Sequence, residues 1–130
     1  MKYNIENEVV KIRCCQFYMR EDGILVGYHF PGIDNTLDDA KEAVQTALSI
    51  TKGKPVPLLI DMRDLQKISL EARKYYSNVG GKKVAKGLAL LIGSSVSKII
   101  GNFFIGLDKQ EIPTKLFTQE KEAILWLKQF

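Results

Sequence analysis

The alternation of apolar and polar residues near the start of the chain predicts an antiparallel hairpin. Residues 9–17 and 24–30 have the composition of strands, and in the second segment large apolar or aromatic residues occupy every second position from Ile24 onward. Between the two segments, an Asp-Gly pair ending at Gly23 can adopt the positive φ of a tight turn. The fold is therefore expected to open with two antiparallel strands.

After residue 32 the apolar residues recur at helical spacing. A stripe with steps of three and four residues extends from Leu37 to Leu48, and Thr36 with Asp39 forms a capping box at its start. Gly53 is expected to end this helix.

Three further helices follow from the same reasoning. Ser69 is a candidate N-cap for a second helix, which Gly80-Gly81 is expected to break. A third, strongly apolar stripe covers residues 96–107, and Thr118 is expected to cap a final helix that buries Trp126.

Between these helices lie segments that are apolar at consecutive positions. Residues 56–60 and 88–92 fit strands that are covered on both faces, as in parallel sheets, and residues 112–117 form a short last strand. The predicted fold is α/β, with an open mixed sheet that starts with an antiparallel hairpin and with about four helices. We expect one domain over residues 1–130.

The composition of the chain argues against a membrane protein and against a secreted protein. Apolar residues make up 45% and charged residues 26% of the 130 residues, and no apolar run approaches the ~20 residues of a membrane span. The first residues lack the apolar core of a secretion signal, and the two cysteines, Cys14 and Cys15, are neighbours that suit a reducing compartment. We expect a cytoplasmic protein without a membrane span.

Candidate catalytic groups are scarce. The sole histidine, His29, lies apart from both cysteines, and we expect it to be a surface or hydrogen-bonded side chain. Without a nucleophile and base, a metal-ligand cluster or a glycine-rich nucleotide loop, the sequence predicts no enzyme, no metal and no cofactor. Basic residues outnumber acidic ones between Asp61 and Lys86, but without a recognition motif we expect no nucleic-acid partner.

A charged junction follows the first buried strand. In open α/β sheets, ligands bind at the carboxyl ends of the strands, where this junction and the serine loop after residues 88–92 should both emerge. The predicted binding rim, for a partner or an anion, consists of Asp61, Arg63, Asp64, Ser69, Glu71, Ser94 and Ser95. The structural alternative is that Asp61 accepts backbone hydrogen bonds and the serines only cap helices.

Several segments resemble the SpoIIAA-like (STAS-like) superfamily. They are the strand exit Leu59-Ile60-Asp61-Met62-Arg63, the Ile112–Phe117 stretch with Pro113, and the closing Ala123-Ile124-Leu125-Trp126-Leu127. With the order of elements, the resemblance covers nearly the whole chain and is to a small uncharacterised bacterial branch.

The resemblance implies a regulatory module that works by exchanging protein partners. In the anti-sigma-factor antagonists of this superfamily, a serine at the start of the helix after the matching strand is phosphorylated. Here Ser69 is the nearest serine and the Asp-Ser-Ser-Gly-like motif is missing, so phosphorylation is not carried over. The leading hypothesis is a non-catalytic module for a protein partner or a second copy of itself.

The alternative hypothesis is a binder of a small apolar ligand, because the fold also resembles lipid-binding SEC14-like domains. The candidate ligand face is the apolar stripe of the third helix, with Ile99, Ile100, Phe103 and Phe104. An ordinary core helix would have the same pattern.

Overall fold

The computed structural model describes residues 9–93 and 112–130. Within them, six strands form one sheet whose spatial order equals the chain order. The strands are β1 (Val10–Lys11), β2 (Cys15–Met19), β3 (Leu25–His29), β4 (Val56–Asp61), β5 (Ala85–Leu91) and β6 (Thr114–Phe117).

The sheet is antiparallel at its start and parallel afterwards. β1, β2 and β3 pair antiparallel, and β3, β4, β5 and β6 pair parallel. Gly27 of β3 lies opposite Phe17 on one side and Ile60 on the other. The predicted hairpin is present, with Gly23 at φ 86° in its turn. This agrees with the mixed α/β sheet expected from the sequence.

The first predicted strand is two strands. The Ile12 N–H donates to the Cys15 carbonyl over 2.9 Å, so the chain turns within the segment that sequence pattern assigned to one strand. β1 then folds back onto β2, with Val10 opposite Phe17. A run of strand-forming residues does not reveal such a turn, since no glycine or proline marks it.

The first helix, α1 (Leu37–Thr51), has the predicted capping box. The Asp39 N–H donates to Thr36 Oγ1 over 3.3 Å, and the Thr36 N–H donates to Asp39 Oδ2 over 3.0 Å. Lys52 at φ 57° and Gly53 at φ 78° end the helix in the left-handed conformation.

The second helical segment continues through the glycines expected to break it, so that prediction was wrong. Ser69 is the N-cap of α2 (Leu70–Tyr75), which passes through a π-helical turn (Tyr76–Gly80) into α3 (Gly81–Val84). Gly80 keeps helical φ and ψ angles, and a β-carbon there would lie 2.5 Å from Val44 Cγ2. Gly80 therefore permits close packing on α1 and does not end a helix.

The last described helix is α4 (Glu120–Leu127). Gln119 occupies its N-cap position without a side-chain hydrogen bond, so the predicted cap at Thr118 was wrong by one residue. Since Glu120 and Glu122 lie in the first turn, they suit the positive end of the helix dipole without a cap.

The sheet has a packed core on each face. One face, called the α1 face, packs Phe17 and Leu58 against Ala43 and Ala47 of α1. The opposite face, called the α4 face, packs Leu59 and Leu91 of the sheet against α4, through the residues Ala123, Ile124 and Leu127. The connection from β3 to β4 and the connection from β4 to β5 both run over the α1 face. This is expected when successive parallel strands progress in one direction.

Three of the four predicted helices fall among the described residues, and the structure contains all three. The helix predicted over residues 96–107 lies outside the described residues. Among those described, no helix has the length and apolarity needed to cross a bilayer.

Candidate functional site

Asp61 and Arg63, the first two residues of the predicted binding rim (called the charged rim below), form hydrogen bonds with each other. Asp61 ends β4 and is buried, with the residue 9% exposed. Its carboxylate accepts hydrogen bonds from Arg63 Nε and Nη2 over 3.0 and 2.7 Å, and from the Arg63 backbone N–H over 3.1 Å. These contacts raise the pKa of Arg63, chiefly through the hydrogen bond to Asp61. Asp61 therefore supports the turn after β4, as the structural alternative stated.

The Asp64 carboxylate also has a hydrogen-bond partner. It accepts a hydrogen bond from the Tyr28 hydroxyl, which raises the pKa of Tyr28. Tyr28 stands at the same end of the neighbouring strand β3, opposite Asp61 in register. The rim thus contains an ion pair at the end of β4 and a tyrosine–carboxylate hydrogen bond that joins the end of β3 to the turn after β4.

The remaining rim residues line the start of α2. Ser69 accepts from the Ala72 N–H over 3.0 Å, so its hydroxyl acts as a cap. Glu71 is exposed in the first turn, beside Leu70, which keeps 48% of its surface exposed.

At the end of β5, Gly93 lies next to Arg63, and a β-carbon on Gly93 would be 3.8 Å from Arg63 Cγ. Ser94 and Ser95, and the apolar face of Ile99, Ile100, Phe103 and Phe104, lie outside the described residues.

A cavity of about 130 Å³ opens on the α1 face. It lies between the sheet, α1 and the segment from α2 to α3, and apolar side chains form most of its lining. Phe17, Leu58 and Ile60 contribute from the sheet, while Ala43 and Ala47 contribute from α1. The small alanines leave space that larger residues would fill, and we call this space the sheet–helix cavity.

His29 is a buried residue beside the sheet–helix cavity. It shares the α1 face with Gly27, two residues away on β3, and it is among the lining residues. The residue is only 5% exposed, so the expected surface position was wrong. Its Nδ1 lies 2.9 Å from the Phe30 carbonyl oxygen, and its Nε2 is buried with no hydrogen-bond partner among the described residues. The alternative expectation, a fully hydrogen-bonded ring, was therefore met only at Nδ1.

Asn35 and Tyr76 form a second polar pair in the lining. The Asn35 Nδ2 donates to the Tyr76 hydroxyl over 3.0 Å, and the same hydroxyl lies 3.3 Å from Asn35 Oδ1. Burial raises the pKa of Tyr76, so its hydroxyl stays protonated. The Asn35 backbone also bonds to Lys67 and Ser69, which ties the start of α1 to the start of α2.

The two cysteines are free thiols beside this site. A hydrogen bond from Cys15 lowers the pKa of Cys14 to about 6, against the effect of burial, and the His29 ring contributes to the same shift. The hydrogen bond to Cys14, together with burial, raises the pKa of Cys15. Therefore, once Cys14 has lost its proton, Cys15 keeps its own proton to a higher pH. Cys15 lines the cavity, whereas Cys14 is not among its lining residues.

Within residues 9–93 and 112–130, His, Cys, Asp and Glu side chains do not come together in groups of three or more that could hold a metal ion. Sequence reasoning did not predict the sheet–helix cavity, and the binding rim stays a prediction. The available signal was the set of small residues, Gly27, Ala43, Ala47 and Gly80, on elements that were expected to pack together.

The fold is similar to that of a solved protein. The crystal structure of an uncharacterized protein from the DUF3478 family, with a SpoIIAA-like fold, from Shewanella loihica PV-4 is 20% identical, covers 98% of each chain and has a TM-score of 0.59. The SpoIIAA-like fold predicted from the sequence is thereby confirmed.

Other comparisons add little about fold or activity. A protein with unknown function from Arthrobacter sp. FB24 is 28% identical over 88% of this chain and 92% of its own, but its TM-score is only 0.31. No curated protein matches the sequence. The family described as domain of unknown function (DUF7793) matches residues 17–130, and the chain belongs to this family.

Proposed function

We propose that this protein acts by binding, without catalysing a reaction, and that it holds a small, mostly apolar molecule in the sheet–helix cavity. The observation that supports this function is the apolar space of about 130 Å³ next to the core of the α1 face. Side chains around an unfilled apolar space lack contact partners, so a ligand that fills it gains dispersion contacts and buries its own apolar surface.

The size of the cavity sets the size of the ligand. An engineered apolar cavity of about 150 Å³ in another protein binds benzene, whereas sites for drug-sized molecules reach roughly 300–1,000 Å³. A volume of about 130 Å³ therefore suits a single ring or a short chain better than a lipid. The two unpaired cysteines favour action in the reducing cytoplasm.

Toluene is a suitable probe for this function. We expect it to shift the NMR resonances of methyl groups in Leu58 and Ile60, and to raise the melting temperature as the toluene concentration increases. The Ala47→Leu variant should fill the cavity and abolish binding. Gln45→Leu introduces the same side chain at an exposed position of α1 and should leave toluene binding unchanged. Absence of toluene binding to the unmodified protein would refute the ligand-binding function.

A second candidate function is protein binding through the charged rim, and the exposure of Leu70 favours it. Leu70 is 48% exposed between Ser69 and the exposed Glu71. Interfaces commonly bury an apolar anchor that is surrounded by polar groups. The partner would be another protein or a second copy of this chain, and exchange of such partners would give the module a regulatory role.

Charge reversal tests the second candidate. A variant with Arg63→Glu and Glu71→Lys should reduce recovery of protein partners from the source cells, or self-association in sedimentation velocity, at least tenfold. A matched variant with Lys41→Glu and Glu122→Lys changes the same charges at exposed sites on α1 and α4 and should behave as wild type. Equal partner recovery with both variants would exclude the charged rim as the interface.

A further inference from the structure

We propose that the sheet–helix cavity binds a small apolar anion, a single ring or short alkyl chain that carries one carboxylate, with the carboxylate at the opening beside Lys82. This inference rests on the proposed binding function and adds the chemical class of the ligand. Two observations support it: the charges among the residues that line the cavity, and the charge of the helical segment that forms one of its walls.

Lys82 is a basic residue at the opening of the cavity. Among the described residues of the lining there is one lysine, Lys82, and there is no arginine, aspartate or glutamate. Lys82 is also exposed to solvent, so it lies where the cavity meets the surface. A lysine stem can cover apolar surface while its ammonium group stays in water. An anion that enters past Lys82 therefore meets a cation and no acidic residue of the described lining.

The wall that contains Lys82 is strongly basic. Residues 67–86 include α2, the π-helical turn and α3, and they contribute Gly80 and Val84 to the lining. This segment has six basic residues and one acidic residue, Glu71, an excess that is larger than the net charge of +4 of the whole chain. Its lysines are all exposed. A cleft with low-dielectric walls and charge of one sign concentrates ions of the opposite sign.

The apolar lining limits how polar the ligand can be. Apolar side chains form most of the lining, and Asn35 and Tyr76 bond to each other. A phosphate group or a second carboxylate inside this space would lose hydration that the apolar side chains cannot replace. A single carboxylate at the opening keeps part of its hydration. A lysine ammonium group has three N–H donors, so Lys82 can bind this carboxylate alongside other acceptors.

Benzoate, benzamide and benzamidinium test the sign of the charge, because they have nearly the same shape and are negative, neutral and positive at pH 7. We expect their affinities to fall in that order in titrations that follow the methyl resonances of Leu58 and Ile60. At low ionic strength benzoate should bind roughly threefold to fivefold more tightly than benzamide, near the upper end of what an exposed ion pair contributes. Salt screens exposed charges, so 1 M NaCl should reduce this preference.

Variants at Lys82 test the position of the carboxylate. Lys82→Gln should make benzoate bind no more tightly than benzamide, whereas Lys82→Arg, which keeps the charge, should retain the preference. Lys41→Gln is the matched control, because it removes a lysine from the exposed surface of α1, the other helical wall of the cavity, and it should also retain the preference. Equal loss of the preference in Lys82→Gln and Lys41→Gln would refute the position beside Lys82.

The outcomes separate this inference from the proposed function. If neither toluene nor any of the three compounds binds the wild-type protein, the cavity function fails and the ligand class fails with it. If toluene binds but benzoate binds no more tightly than benzamide, the cavity function stands and the anionic class is refuted. This comparison uses only the wild-type protein, so misfolding of a variant cannot affect it.

Discussion

Gly87 of β5 lies directly against the ring of Phe130. A β-carbon on Gly87 would be 2.5 Å from Phe130 Cδ2 and 2.7 Å from Cε2, which is closer than carbon atoms pack. The Phe130 ring also makes an edge-on contact with Trp126 of α4, with ring centroids 5.0 Å apart. Glycine at this position therefore lets the last residue cover the α4 face of the sheet.

We expect Gly87→Ala to destabilise the protein by about 1–2 kcal/mol, because the added methyl group displaces the Phe130 ring. In a protein that already carries Phe130→Ala, the same change should cost nearly nothing. Urea unfolding of the four proteins in this double-mutant cycle measures the coupling. Equal costs of Gly87→Ala in both backgrounds would show that the contact with Phe130 is unimportant.

Asp39 should make the stability of α1 sensitive to acid. Its burial raises the pKa, but hydrogen bonds from Thr36 and the neighbouring Arg13, 2.8 Å away, lower it more, so the pKa lies below the ordinary value of 3.8. A carboxyl group with a lowered pKa stabilises the folded state above its unfolded pKa, and this stabilisation is lost as pH falls through the lower folded value.

Asp39→Asn should therefore reduce the free energy of unfolding by about 1–2 kcal/mol at pH 7, the value of a lost cap and its charged hydrogen bonds. The difference from wild type should shrink as pH falls below the ordinary carboxyl pKa of 3.8 and be lost once Asp39 is protonated in the folded state. Asp38→Asn is the matched control: Asp38 is an exposed acid in the same turn, and its loss should cost only ~0.3–0.5 kcal/mol. A constant difference between Asp39→Asn and wild type across this pH range would contradict the argument.

Features that depend on local chemistry could be predicted from the sequence. The Thr36–Asp39 capping box, the Ser69 cap and the turn at Gly23 could all be located, because each needs particular residue types at fixed spacing. The consecutive apolar residues of β4 likewise indicated a strand with both faces covered.

Features that depend on distant contacts could not be predicted. Gly80 resembles a helix terminator locally, and only the position of Val44 on α1 explains why a glycine lies inside the helical segment. The burial of His29 and the space beside Ala43 and Ala47 are likewise set by three separate elements meeting on one face. Local spacing contains no information about the room left between such elements.

Gly80→Ala gives a test of this tertiary role. Alanine favours a helix by about 1 kcal/mol over glycine, so a purely local effect would stabilise the protein. We expect the opposite, a loss of about 1–2 kcal/mol, because the new β-carbon would lie 2.5 Å from Val44 Cγ2. In a Val44→Ala background the contact is relieved, and Gly80→Ala should then be neutral or stabilising. Thermal unfolding of the single and double variants would detect this change of sign.

The Asp61–Arg63 pair should contribute to stability through the backbone of its turn more than through its charges. Half of the Arg63 side chain is exposed, at 47%, so solvent screens the ion pair, and exposed pairs contribute ~0.2–1 kcal/mol. The bond from the Arg63 backbone N–H to Asp61 Oδ1 is independent of the guanidinium group. Arg63→Ala should therefore cost less than about 1 kcal/mol, whereas Asp61→Ala, which removes the acceptor for both donors, should cost about 1–3 kcal/mol.

The intermediate variant is Asp61→Asn, which keeps an oxygen acceptor for the turn and removes the charge. We expect its stability to lie close to that of Arg63→Ala, and 1 M NaCl to reduce the difference between wild type and both of these variants. The cost of Asp61→Ala should change little with salt, because most of it is the loss of hydrogen bonds to a buried side chain. If Arg63→Ala proved as destabilising as Asp61→Ala, the guanidinium group would be the main support of the turn, and charge reversal at Arg63 would no longer be a clean probe of partner binding.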